Sequence, residues 1–238
     1  MKQINTDTKA DSRTNQSTAV RWSRKPLSEL NLLDDFLFST AIENEVFCKQ
    51  LLEIILEKPI RSIRYHAMER SKKNLPSYRS IRLDVYIEDE EGTMYDIEMQ
   101  VRNLGNLPKR SRFYQSLMDS PLLKSGERDF NQLNNSYIIF ILPQDIFGKG
   151  LYRYTFEHRC LEDPDLPLGD GATRIFLNTR GTDPTGVSPT LIKLLSYIEQ
   201  SSTPCDEVLS DPQIKQLHSV VSQLKQSEEM GVQTEKLC

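Results

Sequence analysis

The sequence predicts a mixed α/β fold, an α+β arrangement in which one mixed sheet carries helices packed against it. Three observations predict it. Residues 81–102, IRLDVYIEDEEGTMYDIEMQVR, alternate between apolar and polar side chains as a β-hairpin does. Residues 137–142, within SYIIFILP, form a continuous apolar run of strand length. Segments with apolar residues at helical spacing lie before, between and after these two.

Residues 1–25 are rich in Lys, Thr, Asn, Ser, Gln and Asp, so a disordered leader is expected there. From Leu32 the apolar pattern begins. Leu33, Phe36, Leu37 and Ala41, then Val46, Phe47, Leu51, Leu52, Ile54, Ile55 and Leu56, predict two consecutive helices, the second closed by Pro59. Glu43 and Glu45 stand at the start of the second, where acids suit the helix dipole. Residues 60–66 are a candidate first strand and 69–80 a polar loop. Pro108, tolerated in a first turn, begins a helix through PKRSRFYQSLMDSPLLKSG. Lys109, Arg110 and Arg112 sit in its first turns against the dipole, a small cost that makes sense beside an anion or an acidic site. The run at 137–142 predicts a central strand buried on both faces. Residues 151–158 alternate again as a strand, LEDPDLPLGDG is a turn-rich loop, and 174–177 make a short further strand. Helices are expected at 191–200 and, weakly amphipathic, at 206–230. This divides the chain into the leader, a sheet-bearing domain over 26–181 and a helical C-terminal extension over 182–238.

The hairpin has a register that its loop dictates. Glu90-Glu91-Gly92 is a three-residue connection, a type I turn followed by a left-handed residue, and glycine takes that conformation without a Cβ clash. Pairing Asp89 with Thr93 sets Leu83 opposite Met99, Val85 opposite Ile97 and Ile87 opposite Tyr95, all on one face. The same register sets Asp84 opposite Glu98, with Gln100 two residues on. A two-residue loop would oppose Asp84 to Ile97 and mix the faces. Directly opposed Cβ atoms lie roughly 4.5–5.5 Å apart, so two carboxylates there repel. A divalent cation between them relieves the repulsion. An ordinary solvated, charged outer face is the other reading of the same alternation.

The 238 residues are 37% apolar and 27% charged with a formal net charge of −4, the profile of a globular protein rather than a generally basic nucleic-acid binder. Local basic runs do exist: Arg61, Arg64, Arg70, Lys72, Lys73, Arg79 and Arg82 precede the acidic hairpin, and Arg102, Lys109, Arg110 and Arg112 follow it. Cys48, Cys160, Cys205 and Cys238 are scattered, and His66, His158 and His218 are isolated, so neither a zinc site nor a disulfide framework is indicated. A reduced, cytoplasmic setting is expected, with no signal peptide and no apolar run long enough to cross a bilayer.

FLFSTAIENEVFCKQLLEIIL, RLDVYIEDEEGTMYDIEMQV, PKRSRFYQSLM and SYIIFIL, in that order, resemble the Rpn family of recombination-promoting nucleases and transposases, within the PD-(D/E)xK nuclease superfamily. The likeness covers roughly 30–181. It implies a restriction-endonuclease-like αβββαβ core, with Asp84, Glu98 and Gln100 as catalytic residues. Asp84, Glu98 and a helix acid, Glu45 or Glu43, would hold Mg²⁺ or Mn²⁺. Arg110, Lys109 and Tyr114 would meet a DNA phosphate. Gln100 stands where many relatives of the superfamily carry lysine, and would orient water or a phosphate oxygen by hydrogen bonding. The implied function is metal-dependent endonucleolytic cleavage of DNA linked to recombination or a mobile element. Its alternative is a nuclease fold whose catalysis has decayed into a DNA-binding or protein-interaction module. The resemblance also leaves room for a homo-oligomer, and for a C-terminal helical tail shorter than in relatives.

Overall fold

The computed structural model describes residues 26–65, 86–102, 105–123 and 125–235. The leader at 1–25, the polar loop at 69–80 and Asp84 therefore lie outside the described residues. Helices α1 (Asp35–Ile42) and α2 (Glu45–Leu56) are followed by strands β1 (Ile63–Tyr65), β2 (Tyr86–Asp89) and β3 (Met94–Met99). Next come α3 (Leu107–Asp119), β4 (Ser136–Leu142), β5 (Arg153–Phe156), β6 (Ala172–Asn178), α4 (Pro189–Glu199), α5 (Asp206–Leu209) and α6 (Pro212–Glu235). Among the described residues the strands form one sheet in the order β1-β2-β3-β4-β6-β5. β1, β2 and β3 run antiparallel, β3, β4 and β6 are mutually parallel, and β5 closes the edge antiparallel to β6. This is the mixed sheet with flanking helices that the sequence predicts.

β4 is the centre. Its residues from Ile138 to Leu142 are buried, because β3 and β6 pair on its two edges and helices cover both faces. The face carrying Ile139, Ile141, Ile175, Leu177, Tyr95 and Ile97 packs against α1, α2, α4 and α6. The opposite face, with Met94, Ile138, Phe140, Leu142 and Phe176, packs against Leu107, Tyr114 and Met118 of α3. The expected C-terminal extension is thus part of the main apolar core: Leu191, Leu194, Ile214, Leu217 and Val221 all join it. Its residues also tie down the segment leading into α1. Ser201 Oγ accepts from Leu32 N at 2.8 Å, Ser202 N donates to Asn31 Oδ1 at 2.8 Å, and Lys225 Nζ donates to Leu30 O at 2.7 Å.

Several boundaries differ from the sequence expectation: α3 ends at Asp119, β5 shortens to Arg153–Phe156 and β6 lengthens to Ala172–Asn178. α2 stops at Leu56, before Pro59, because Glu57 takes a left-handed conformation at φ 54°. The first strand shortens to three residues. The helix expected over 206–230 breaks at Asp211, whose carboxylate accepts from Gln213 N at 3.0 Å and from Thr190 Oγ1 at 2.8 Å. Pro212 then begins α6, at the position where a missing N–H costs nothing. Among the described residues no helix is long and apolar enough to cross a membrane.

The hairpin register is the one its loop dictates. Tyr86 pairs with Asp96, Ile87 with Tyr95 and Glu88 with Met94, and Gly92 adopts φ 80°. Asp89 N donates to Thr93 O at 3.0 Å across the loop. The loop is fastened by one side chain. Asp89, 6% exposed, accepts through Oδ1 from Glu91 N and Thr93 N, both at 2.9 Å, and through Oδ2 from Tyr95 OH at 2.6 Å. The acidic side of β3 departs from the solvated-face reading of the alternation. It is not a solvated face: Asp96 and Glu98 are 0% and 1% exposed, since α3 lies over that side of β3. Asp89→Ala should cost about 2–3 kcal/mol, the price of leaving a buried hydroxyl and backbone donors unmatched. Urea unfolding measures it, and a loss below about 0.5 kcal/mol would remove Asp89 from this role.

Candidate active site

β3 ends beside the start of α3, and this junction sets the site. Glu98 faces α3 because side chains alternate along β3, with Tyr95, Ile97 and Met99 committed to the other face. Burial of a carboxylate is costly unless a charged partner compensates it. Arg110, at the end of the first turn of α3, is that partner: its Nη2 lies 2.6 Å from Glu98 Oε2. The unfavourable placement of Arg110 in the first turn of α3 is thereby explained, since Glu98 lies within reach.

The guanidinium is held on three sides. Nη1 donates to Gln100 Oε1 at 2.5 Å and Nε to Tyr114 OH at 2.5 Å, besides the bond to Glu98. Its carbon sits 4.9 Å from the centre of the Tyr114 ring and 5.7 Å from that of Phe140. Gln100 is fixed at its other end too, with Nε2 donating to Arg102 O at 2.6 Å. Burial, followed by the charge of Glu98, pushes the Tyr114 hydroxyl above its ordinary range, and Arg110 opposes the shift.

An open cleft of about 650 Å³ lies over this junction, lined by Asp35, Ser39, Glu98, Gln100, Arg102 and Arg110 among others. Asp35 reaches it from the first residue of α1. The preceding Asp34 is spent on capping, accepting from Phe36 N and Leu37 N, which leaves Asp35 to the cleft. Burial and then the Asp34 carboxylate raise the pKa of Asp35 above the usual range, while Arg102 pulls it down.

The residues implied by the resemblance are placed unequally. Glu98, Gln100 and Arg110 come together. Lys109 is exposed in the same first turn of α3, one residue before Arg110. Tyr114, expected at a DNA phosphate, is 0% exposed and meets Arg110 with its hydroxyl, because α3 turns that position toward Phe140. Glu45 and Glu43 do not line the cleft. Both are exposed at the α1–α2 junction, where their charges act on Tyr65. Asp84 lies outside the described residues. The acid that the sequence reading passed over is Asp35, while Arg102, read from sequence as part of the basic run after the hairpin, lines the cleft as well. The signal for Asp35 was the pair Asp34-Asp35 ahead of the first apolar helix, where one acid suffices for a cap.

Among the described residues no group of three or more His, Cys, Asp and Glu side chains is placed to hold a metal. Glu98 and Asp35 offer carboxylate oxygens alone, a donor set that suits a hard divalent cation such as Mg²⁺ or Mn²⁺, which keeps several waters. Zinc would call for nitrogen or sulfur. The residues present thus fit such an ion.

No curated protein and no solved structure matches the chain. Residues 35–236 match the family model described as PD-(D/E)XK nuclease family transposase, and since this span takes in the sheet, α3, the cleft and the C-terminal helices, the chain belongs to that family of nuclease-related transposases.

Proposed function

We propose that the protein is a metal-dependent endonuclease that hydrolyses DNA phosphodiester bonds in recombination or in the movement of a mobile element. The observation that carries this reading is the cleft itself, where a buried carboxylate, Glu98, a second acid, Asp35, and a guanidinium, Arg110, line one open surface. Acids alone would repel a nucleic acid, and a cation-free basic cleft would bind it without chemistry. The combination matches a phosphodiester held beside a hard metal ion.

In this reading Glu98, Asp35 and Asp84 would hold Mg²⁺ or Mn²⁺, with Asp35 in the place expected of Glu45. A hard cation bound there would lower the pKa of its water and offset charge building on the phosphate. Arg110 presents a planar fork suited to phosphate oxygens, and Lys109, exposed one residue earlier, attracts the backbone as a point charge. Tyr114 and Phe140 keep the guanidinium from collapsing toward solvent.

Purified protein is expected to nick or cut plasmid DNA with Mg²⁺ or Mn²⁺ and not with EDTA. Asp84→Ala should lower cleavage by at least about a hundredfold, beyond what the loss of a ligand's hydrogen-bond partner costs. Cleavage undiminished in that variant would overturn the reading, and DNA binding with no cleavage under any divalent metal would favour the decayed module. Asp35→Asn should cost more activity than Glu45→Gln in the same assay, and the reverse order would return Glu45 to the site. Arg110→Ala should weaken binding to duplex DNA and flatten its salt dependence by about one phosphate contact. A titration of affinity against salt concentration reads this, and an unchanged slope would remove Arg110 from the phosphate.

A further inference from the structure

Gln100 lines the cleft, yet both ends of its amide are engaged with the protein. Oε1 takes the hydrogen bond from Arg110 Nη1 at 2.5 Å, and Nε2 donates to Arg102 O at 2.6 Å. The second bond matters because an amide has one acceptor end. With Nε2 fixed on a backbone carbonyl just beyond its own strand, Oε1 is turned toward the guanidinium. Glu98 Oε2 accepts from Nη2 and Tyr114 OH from Nε, so three of the five guanidinium N–H groups are engaged by these acceptors. One planar cation is therefore located by three acceptors from two elements, β3 with its continuation and α3.

We propose that Gln100 is a positioning residue for Arg110: it fixes the guanidinium at the cleft by acting as a neutral acceptor, so that the site draws its inner positive charge from α3 and not from the strand. Neutrality is the point. A carboxylate at 100 would add a further acid to Glu98 and Asp35. A lysine would set an ammonium against the guanidinium, two like charges competing for Glu98. Position 100 and position 110 thus form one unit, in which a cation is tolerated at one of the two places only. This rests on the nuclease reading for its catalytic meaning, but the coupling of the two side chains is a property of the folded chain.

The test is a set of variants at the two positions in the full chain: Gln100→Met, Gln100→Lys, Arg110→Met, and both combinations. Each is measured for urea unfolding midpoint and for affinity to a 30-base-pair duplex in EDTA. In the natural background Gln100→Met should weaken duplex binding about fivefold and Gln100→Lys should lower the unfolding midpoint further than Gln100→Met does. In the Arg110→Met background the order should reverse. Gln100→Met becomes silent, and Gln100→Lys restores midpoint and affinity, because its ammonium replaces the partner of Glu98. Additive losses, with lysine no better than methionine once Arg110 is gone, would overturn the proposal. Failure of the natural protein to bind duplex DNA would count against the nuclease reading alone, since the unfolding midpoints still report the reversal. Cleavage lost in Gln100→Met with unchanged binding and unchanged unfolding would assign Gln100 to water or metal instead, and would equally overturn it.

Discussion

A carboxylate that is almost wholly removed from water must be compensated, and the pairing of Glu98 with Arg110 answers that requirement. Much of the local architecture is arranged around it. Arg110 has to approach from the side of β3 that faces away from the four-helix layer, so α3 crosses that side and starts near the end of the strand. Tyr114, one helical turn on, comes beneath the guanidinium and stacks toward Phe140 of the central strand. An ion pair between a buried carboxylate and a partly exposed guanidinium contributes little to net stability, because desolvation of the carboxylate offsets most of the attraction. Its effect is positional: it fixes the side of the sheet and the helix start from which a cation can reach the cleft.

The second support is the hairpin loop. β2 and β3 must keep their register for the acids of the hairpin to share one side of the sheet, and a slip of one residue would turn every side chain over. Asp89 prevents the slip by holding two backbone N–H groups of the loop and the hydroxyl of Tyr95 at once. Asp34 and Asp35 show the same economy at the start of α1. One aspartate closes the helix end by hydrogen bonding and the next is released toward the cleft.

The C-terminal helices reach the site indirectly. They share the apolar core with α1 and α2, and Ser201, Ser202 and Lys225 bind the backbone of the segment that leads into α1. The position of Asp35 therefore depends on residues more than a hundred and sixty places away in sequence, as the separation of Leu32 and Ser201 shows. Helices α4, α5 and α6, all beyond residue 181, share one apolar core with α1 and α2. The apolar spacing of 206–230 marks a face that needs a partner without saying which, and α6 packs it against α1, α2 and α4.

By itself the sequence determined the elements whose signal is local. Gly92 and the three-residue loop set the hairpin register, the continuous run around Phe140 made β4 a central strand, and Pro108 marked the start of α3. Those features follow from backbone geometry and periodicity, which act over a few residues. The meeting of Glu98, Gln100 and Arg110 was legible in part, through basic residues set against a helix dipole beside an acidic strand. Tertiary structure alone decided the rest. It turned the acidic face of β3 inward under α3, took Tyr114 out of solvent, brought Asp35 to the cleft and left Glu45 exposed at the α1–α2 junction. It also gave Gln100 a partner at each end of its amide. Each of these depends on which helix covers which face of the sheet, a choice made by the summed burial of apolar side chains distant in the chain. No spacing within a single segment encodes it.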